Sequence, residues 1–212
     1  MAGTAIEIYG RGKRFGIGPV GQGRVGWWAT VNEERRKRID GDETIAAELS
    51  HASRQELLKL FDGWCEPVLE LIQTTRSTSM VQNAVFDRPP TKKWGTDRIT
   101  LLGDAVHPTT PNLGQGGCLA IEDAVVLARC LHQCGDSPSQ SDINNTLRKY
   151  EGLRRARTSA IAAYSRRYGV IGQWESAAAV RMRNMMLALL PQQLTQRLLQ
   201  MIFSYDAYAV RL

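Results

Sequence analysis

The sequence predicts a mixed α/β (α+β) chain in which a small sheet comes first and helices close the molecule. Three observations carry that expectation. Apolar and polar residues alternate over the first thirty positions among closely spaced glycines. A short apolar run at residues 98–102 leads, through a loop rich in proline and glycine, into a helix-spaced segment at about residues 116–131. From residue 143 the pattern is helical almost to the end.

The elements follow in order. Ile6, Ile8, Phe15 and Ile17 alternate with polar or small residues, and residues 25–31 are β-rich, with Trp27, Trp28 and Thr30. Gly21-Gln22-Gly23 reads as a tight turn joining two strands. A polar, charged stretch follows at residues 32–42. Ser53 with Glu56 forms a capping box ahead of the helix face Leu57, Leu58, Leu60, Phe61 and Trp64. Pro67 suits the first turn of a short helix carrying Val68, Leu71 and Ile72. Residues 80–86 predict a further strand, ended by Arg88-Pro89-Pro90. Residues 98–102 predict a buried strand running into Gly103-Asp104. The helix behind it carries Ala120, Ala124, Leu127, Ala128 and Leu131 on one face. Residues 134–142 form a polar linker, residues 143–168 a long arginine-rich helix, and residues 177–190 and 193–205 a closing pair. The expected division is a sheet with helices at 1–90, a strand–loop–helix segment at 91–134 and a helical region at 135–212.

Composition narrows the function. The 212 residues hold 27 Lys+Arg and 21 Asp+Glu, so the formal charge is 27 − 21 = +6. With 43% hydrophobic and 23% charged residues the chain is globular in composition, which excludes a disordered tail. The longest apolar run, residues 185–190, stops at Pro191, well short of the roughly 20 residues of a membrane helix. The first residues lack a secretory pattern. The four cysteines show no metal spacing, Cys130 and Cys134 lie one helical turn apart as on a buried face, and free thiols in a reducing cytoplasm are expected. Arginines come in bursts at residues 35–38, 154–157 and 166–167. They lack interleaved aromatics and sit beside Glu33, Glu34 and Glu151, which argues against nucleic acid and for solvated helix faces. Attraction of an acidic small molecule is the intermediate reading.

The informative segment is residues 98–124. Ligands of α/β proteins collect at the carboxyl ends of strands. Asp104 is placed there to accept hydrogen bonds from ribose or ribitol hydroxyls, and Gly103 lets a ligand approach the backbone. Pro108 and Pro111 stiffen a loop that delivers Gly114-Gln115-Gly116-Gly117 to a helix start, where bare amides and the helix dipole favour negative charge. A phosphate fits such an end, and so does the anionic edge of a reduced flavin. Spacing alone leaves open a turn whose glycines only make bends.

The segment closely resembles the second flavin fingerprint of the FAD-dependent aromatic hydroxylases, the para-hydroxybenzoate hydroxylase-like monooxygenases, and within them the zeaxanthin epoxidase and urate hydroxylase branch. The matching residues are Gly103-Asp104, Ala105, His107-Pro108, Pro111, Leu113-Gly114-Gln115-Gly116-Gly117, Ala120 and Glu122-Asp123-Ala124. Upstream, residues 10–16, Pro19 and Trp28-Ala29-Thr30 look like the family's substrate sheet. Downstream, Tyr150-Glu151 with Arg154, Arg157 and Ser165 looks like the helix after the fingerprint. The resemblance implies a partial hydroxylase fold. Asp104 would bind ribityl or ribose hydroxyls of FAD, Pro111 would lie near the reactive flavin carbon, and the amides of Gly114, Gln115, Gly116 and Gly117 would face the pyrimidine edge. It implies reduction by NAD(P)H, a flavin hydroperoxide, and transfer of one oxygen atom to a small-molecule substrate of aromatic or heterocyclic type. No protein catalytic residue and no metal is implied.

Family members open with a Gly-x-Gly-x-x-Gly unit that grips the FAD diphosphate. Gly16-Ile17-Gly18-Pro19-Val20-Gly21 matches the spacing, but Pro19 interrupts it and a strand, not a helix, follows. The chain is therefore expected to be the C-terminal half of such an enzyme, with three readings open: a sequence truncated from a longer chain, an isolated fragment, or the product of a split gene with a separate N-terminal half as partner. His107 is expected to serve the turn before Pro108. Alternation sends Trp27 and Trp28 to opposite faces, so at most one of them faces a ligand. Arg14 or Arg24 is a candidate for pairing with an acidic substrate. Met182, Met185 and Met186 read as packing. Two alternatives stand beside the monooxygenase: a flavin-dependent reductase of isoprenoid lipids, and a binding module that has lost its cofactor.

Overall fold

The computed structural model describes residues 4–32 and 54–212. His51, Ser53 of the expected capping box and the basic run 35–38 lie outside them. The chain divides into two units, Met1–Ala84 with Gly172–Val180, and Val85–Ile171 with Arg181–Leu212.

The first unit holds an antiparallel meander of β1 (Ile6–Tyr9), β2 (Lys13–Pro19) and β3 (Val25–Val31). The turn between β2 and β3 has positive φ at Gly21, Gln22 and Gly23, 82°, 52° and 71°, which explains its glycines. Phe15 and Ile17 point to one side and form a core with Phe61, Val68 and Ile72 from α1 (Arg54–Leu60), α2 (Val68–Thr74) and the turn between them. Trp27 stacks on Phe15 with ring centroids 5.2 Å apart and donates from Nε1 to Thr75 Oγ1. Trp28 takes the opposite face, as alternation requires, and covers Gly16, its cross-strand partner. A Cβ at Gly16 would lie 1.9 Å from Trp28 Cε2, so this glycine is demanded by the indole. The stretch 16–21 is strand and turn with no helix behind it, as expected. Arg14 is not available to an acidic substrate. It is buried and donates to Glu7 Oε1 and Gln173 Oε1, each at 3.1 Å.

The second unit corrects two strand expectations. Residues 80–86 form no strand, and Phe86 is 76% exposed. Residues 98–102 contribute only β5 (Ile99–Thr100), paired with β4 (Gly95–Thr96), and Ile99 is 64% exposed rather than buried. A strand needs a neighbour for its backbone hydrogen bonds, and the described residues offer these segments none beyond that hairpin. Two short 3₁₀ turns follow, Gly103–Ala105 and Pro111–Leu113. Then come α3 (Gly116–His132), α4 (Gln140–Gly172), α5 (Ala177–Leu189) and α6 (Gln192–Phe203), close to their expected positions.

The unit's core gathers Trp94, Val106, Val126, Cys130, Tyr150 and Ala207, with a smaller cluster of Leu119, Ile161 and Ile202. The buried face of α3 is therefore Leu119, Asp123, Val126 and Cys130, not the alanine-rich stripe expected from the sequence. The larger Leu and Val side chains fill the core, and Ala120 is small enough to pass over Gly103. The arginines of α4 divide: Arg155, Arg166 and Arg167 lie on a solvated face as expected, whereas Arg154 is fully buried and Arg157 mostly so. Met182, Met185 and Met186 of α5 face solvent instead of packing, while Arg183 on the same helix is buried. All four cysteines are free thiols. Among the described residues no helix is long and apolar enough to cross a membrane.

Candidate functional site

The site is built on the turn at Gly103. Its φ of +58° suits glycine, and a Cβ there would lie 3.1 Å from Ala120 Cβ. Both polar ends of the residue are held. Its N–H donates to Asp123 Oδ2 at 2.9 Å, and its carbonyl accepts from Val106 N and His107 N, each at 3.0 Å. Asp104 follows directly and is exposed. Its Oδ1 lies 4.0 Å from the position a Cβ on Gly116 would take, so the carboxylate and the amino terminus of α3 face the same spot.

That helix end is open. Gly114 supplies the left-handed turn at φ 62° and Gln115 is the N-cap residue, with no side-chain cap. The first α-helical bond of this end runs from Leu119 N to Gln115 O at 2.9 Å, leaving the amides of Gly116, Gly117 and Cys118 without helical acceptors. A Cβ at Gly114 or Gly117 would meet nothing within 4 Å. Gly114 and Gly117 are exposed, Gly116 half-buried and Gln115 buried, while Pro111 is exposed at the start of the preceding 3₁₀ turn. The donor set fits FAD: an exposed carboxylate to accept hydroxyl hydrogens, bare amides with a helix dipole for an anionic ring edge, and open space above the backbone.

The loop between the two is fixed from α4. Thr110 Oγ1 and Ser165 Oγ lie 2.8 Å apart, and Ser165 Oγ donates to Thr110 O at 2.6 Å. Asn112 Nδ2 donates to Thr110 Oγ1 at 2.9 Å and to Ser165 O at 3.0 Å. The absence of a side chain at Gly169 admits Asn112, since a Cβ there would lie 2.4 Å from Asn112 Nδ2. Thr109 Oγ1 donates to His107 O at 2.9 Å.

Beneath the loop lies a buried charge cluster that the sequence reading did not assemble. Asp123, at 0% exposure, accepts on Oδ2 from Gly103 N and from His107 Nε2, the latter at 2.6 Å, and on Oδ1 from Arg154 Nε at 2.7 Å. Arg154 also donates to Glu122 Oε2 at 2.7 Å, and Arg157 reaches Glu122 Oε1 at 3.1 Å. Two carboxylates thus meet two guanidiniums. Arg157 further donates to the carbonyls of Met201 and Ile202 at the end of α6. Both guanidiniums lie over the Tyr205 ring, at 5.1 and 4.7 Å.

Burial by itself would raise the Asp123 carboxyl, but hydrogen bonds from His107, Gly103 N–H and Arg154 outweigh it and hold the group below the ordinary carboxylate range. Burial likewise opposes the charge of Arg154, and its bonds to Asp123 and Glu122 reverse that and raise it. The Tyr150 hydroxyl is pushed up by burial and then by the Asp123 charge. His107 is buried and its Nδ1 has no partner. A proton there would be an unsatisfied buried donor, costing roughly 1–3 kcal/mol. Hydrogen-bond accounting therefore assigns the proton to Nε2, facing Asp123. His107 serves its turn as expected, and does so through a carboxylate 16 residues away. The signal was present in the sequence: Asp123 shares a helical face with Leu119, Val126 and Cys130, and an acid on an apolar face requires a buried partner.

A left-handed glycine turn thus carries an exposed carboxylate at its tip, with an uncapped helix end beside it. Residues 8–165 match the FAD binding domain family, and the chain belongs to it. It is 40% identical over 184 residues to aurachin C monooxygenase/isomerase of Stigmatella aurantiaca, covering 87% of this chain and 44% of that protein. It is 38% identical over 161 residues to the chloroplastic zeaxanthin epoxidase of Nicotiana plumbaginifolia, covering 74% and 23%. Among solved structures, HpxO of Klebsiella pneumoniae complexed with FAD and uric acid superposes with a TM-score of 0.72 and 28% identity, over 93% of this chain and 47% of that one. The chain thus spans less than half the length of these relatives.

Proposed function

We propose that this chain carries the flavin-ring half of an FAD-dependent monooxygenase. The observation that carries the reading is the Asp104 carboxylate set against the uncapped amino terminus of α3. Asp104 accepts hydrogen bonds from ribityl or ribose hydroxyls. The amides at Gln115, Gly116 and Gly117 hold the pyrimidine edge, while the Gly114 amide is committed to Pro111 O at 2.9 Å, and Pro111 borders the ring. When bound, FAD supplies the redox chemistry by which substrate, NAD(P)H, O₂ and a proton yield an oxygenated substrate, water and NAD(P)⁺. The protein's part is binding and orientation, with the loop held rigid by Ser165 and Asp123. The substrate is a small aromatic or heterocyclic molecule, in keeping with uric acid in HpxO. Relatives named monooxygenase and epoxidase favour oxygen transfer over double-bond reduction. The diphosphate grip comes from a separate Gly-x-Gly-x-x-Gly segment, and the free thiols suit a reducing cytoplasm.

Titrating FAD into the full chain, alone and with a separately supplied dinucleotide-binding half, tests the reading by quenching of flavin fluorescence. Losing a hydrogen bond to a charged acceptor costs roughly 1.5–3 kcal/mol. Asp104→Ala is therefore expected to weaken FAD about ten- to a hundredfold. Equal affinity of variant and wild type would remove Asp104 from the site.

A further inference from the structure

We infer that Asp123 is the positioning residue of the flavin loop and that His107 acts there as a neutral hydrogen-bond donor, not as an acid or base. The inference rests on the flavin reading only for its consequence, since the arrangement itself stands on this chain's geometry. One fully buried carboxylate receives three donors from three segments: Gly103 N–H from the turn, His107 Nε2–H from four residues on, and Arg154 Nε–H from α4. Two of those donors bracket Asp104 in sequence. The Gly103 carbonyl accepts from Val106 N and His107 N, so the turn closes on itself between the two points that Asp123 grips. Asp104 is left as the exposed polar residue of the bracketed turn, presented toward Gly116.

The surroundings of Nδ1 support the neutral ring. Asp123 and Glu122 are already matched by Arg154 and Arg157. The Trp94 ring lies 5.5 Å from the His107 ring, and Nδ1 is buried without a partner. A protonated imidazole would add an unmatched charge and an orphan N–H to this pocket. Binding groups hold their geometry when a second layer of bonds locks them. Asp123 supplies that layer without reaching the open side where a ligand would sit.

The test uses the ligand-free full chain first. Long-range ¹H–¹⁵N correlation spectra are expected to show the Nε2–H tautomer of His107 at neutral pH, and hydrogen exchange is expected to show a strongly protected Gly103 amide. A His107 ring carrying a proton on Nδ1, alone or together with Nε2, or a freely exchanging Gly103 amide, overturns the inference without any variant. Asp123→Asn keeps an acceptor for Gly103 and His107 but loses the charge and faces the Arg154 Nε–H with an amide NH₂. The variant is expected to retain Gly103 protection in part and to weaken FAD about tenfold, the lower end of what outer partners of binding groups contribute. Asp123→Leu removes every acceptor, so its Gly103 amide is expected to exchange freely. Wild-type FAD affinity in a folded Asp123→Asn chain, or wild-type protection in a folded Asp123→Leu chain, defeats the positioning role. If wild-type chain takes no FAD under any condition, the proposed function fails, whereas the tautomer and exchange measurements still decide the role of Asp123 in the turn.

Discussion

An ionised carboxylate at 0% exposure survives in Asp123 because three donors replace the water it has lost. Removing the cation should therefore be costly. Arg154→Met is expected to lower stability by roughly 3–5 kcal/mol, the range for an uncompensated buried charge. Urea unfolding at neutral pH measures it, and a loss below about 1 kcal/mol would mean that the carboxylate finds water or another partner. The same residue sets a pH dependence. The folded carboxyl is held below its unfolded value, near 3.8, so the stabilisation is fully present above that value and disappears as pH falls through it toward the folded one. The urea midpoint of the wild type should drop steeply below about pH 4, and that of Asp123→Asn should be flatter there. Gly103→Ala offers a second check. Its φ of +58° and the 3.1 Å approach to Ala120 Cβ predict a loss of about 1–3 kcal/mol.

At the scale of elements, α4 acts as the post to which the loop before α3 is tied. Ser165→Ala removes the hydroxyl shared with Thr110 and should cost about 1 kcal/mol. The Gly114 amide, bonded to Pro111 O at 2.9 Å, should then exchange faster. Unchanged exchange at Gly114 would show that Asn112 and the prolines hold the loop without Ser165. Legibility in the sequence followed how local each element's cause is. The meander was readable because period-2 alternation and the Gly21–Gly23 turn lie within a few residues of what they determine. The helices were readable from their spacing. Residues 80–86 and 98–102 were misread because an apolar run specifies a strand only when a neighbour completes its ladder. The site's outward part, Gly103-Asp104 with the glycine-led helix, was readable as a pattern. Asp123 left a signal as an acid on an apolar face of α3, but its pairing with Arg154 and the tie to Ser165 did not, because those partners come from α4 and meet the loop only in three dimensions.

Across the whole molecule, apolar surface is not all inside, and α5 is the clearest case. Met182, Met185, Met186 and Leu189 fall at i, i+3, i+4 and i+7, the spacing of a core-facing stripe, yet Met185 is 58% exposed and the other three are exposed too. Spacing therefore says packing, while the structure puts Arg183 of the same helix inward at 1% exposure. The two readings predict different outcomes for one variant. If the stripe were part of this chain's core, Met182→Gln with Met186→Gln and Leu189→Gln would cost several kcal/mol, since burying unsatisfied amides adds to lost apolar contact. With the stripe in solvent, each change falls within about 0.5 kcal/mol. For a chain of this size about 1 kcal/mol corresponds to roughly 2–4 °C of Tm. The triple variant is thus expected to melt within a few degrees of the wild type. It should also need more ammonium sulfate to precipitate, because exposed apolar patches drive association. Melting curves and salting-out curves on the full chain measure both. A fall in Tm of more than about 10 °C would place the stripe in a packed interface and reverse the assignment of inside and outside on α5.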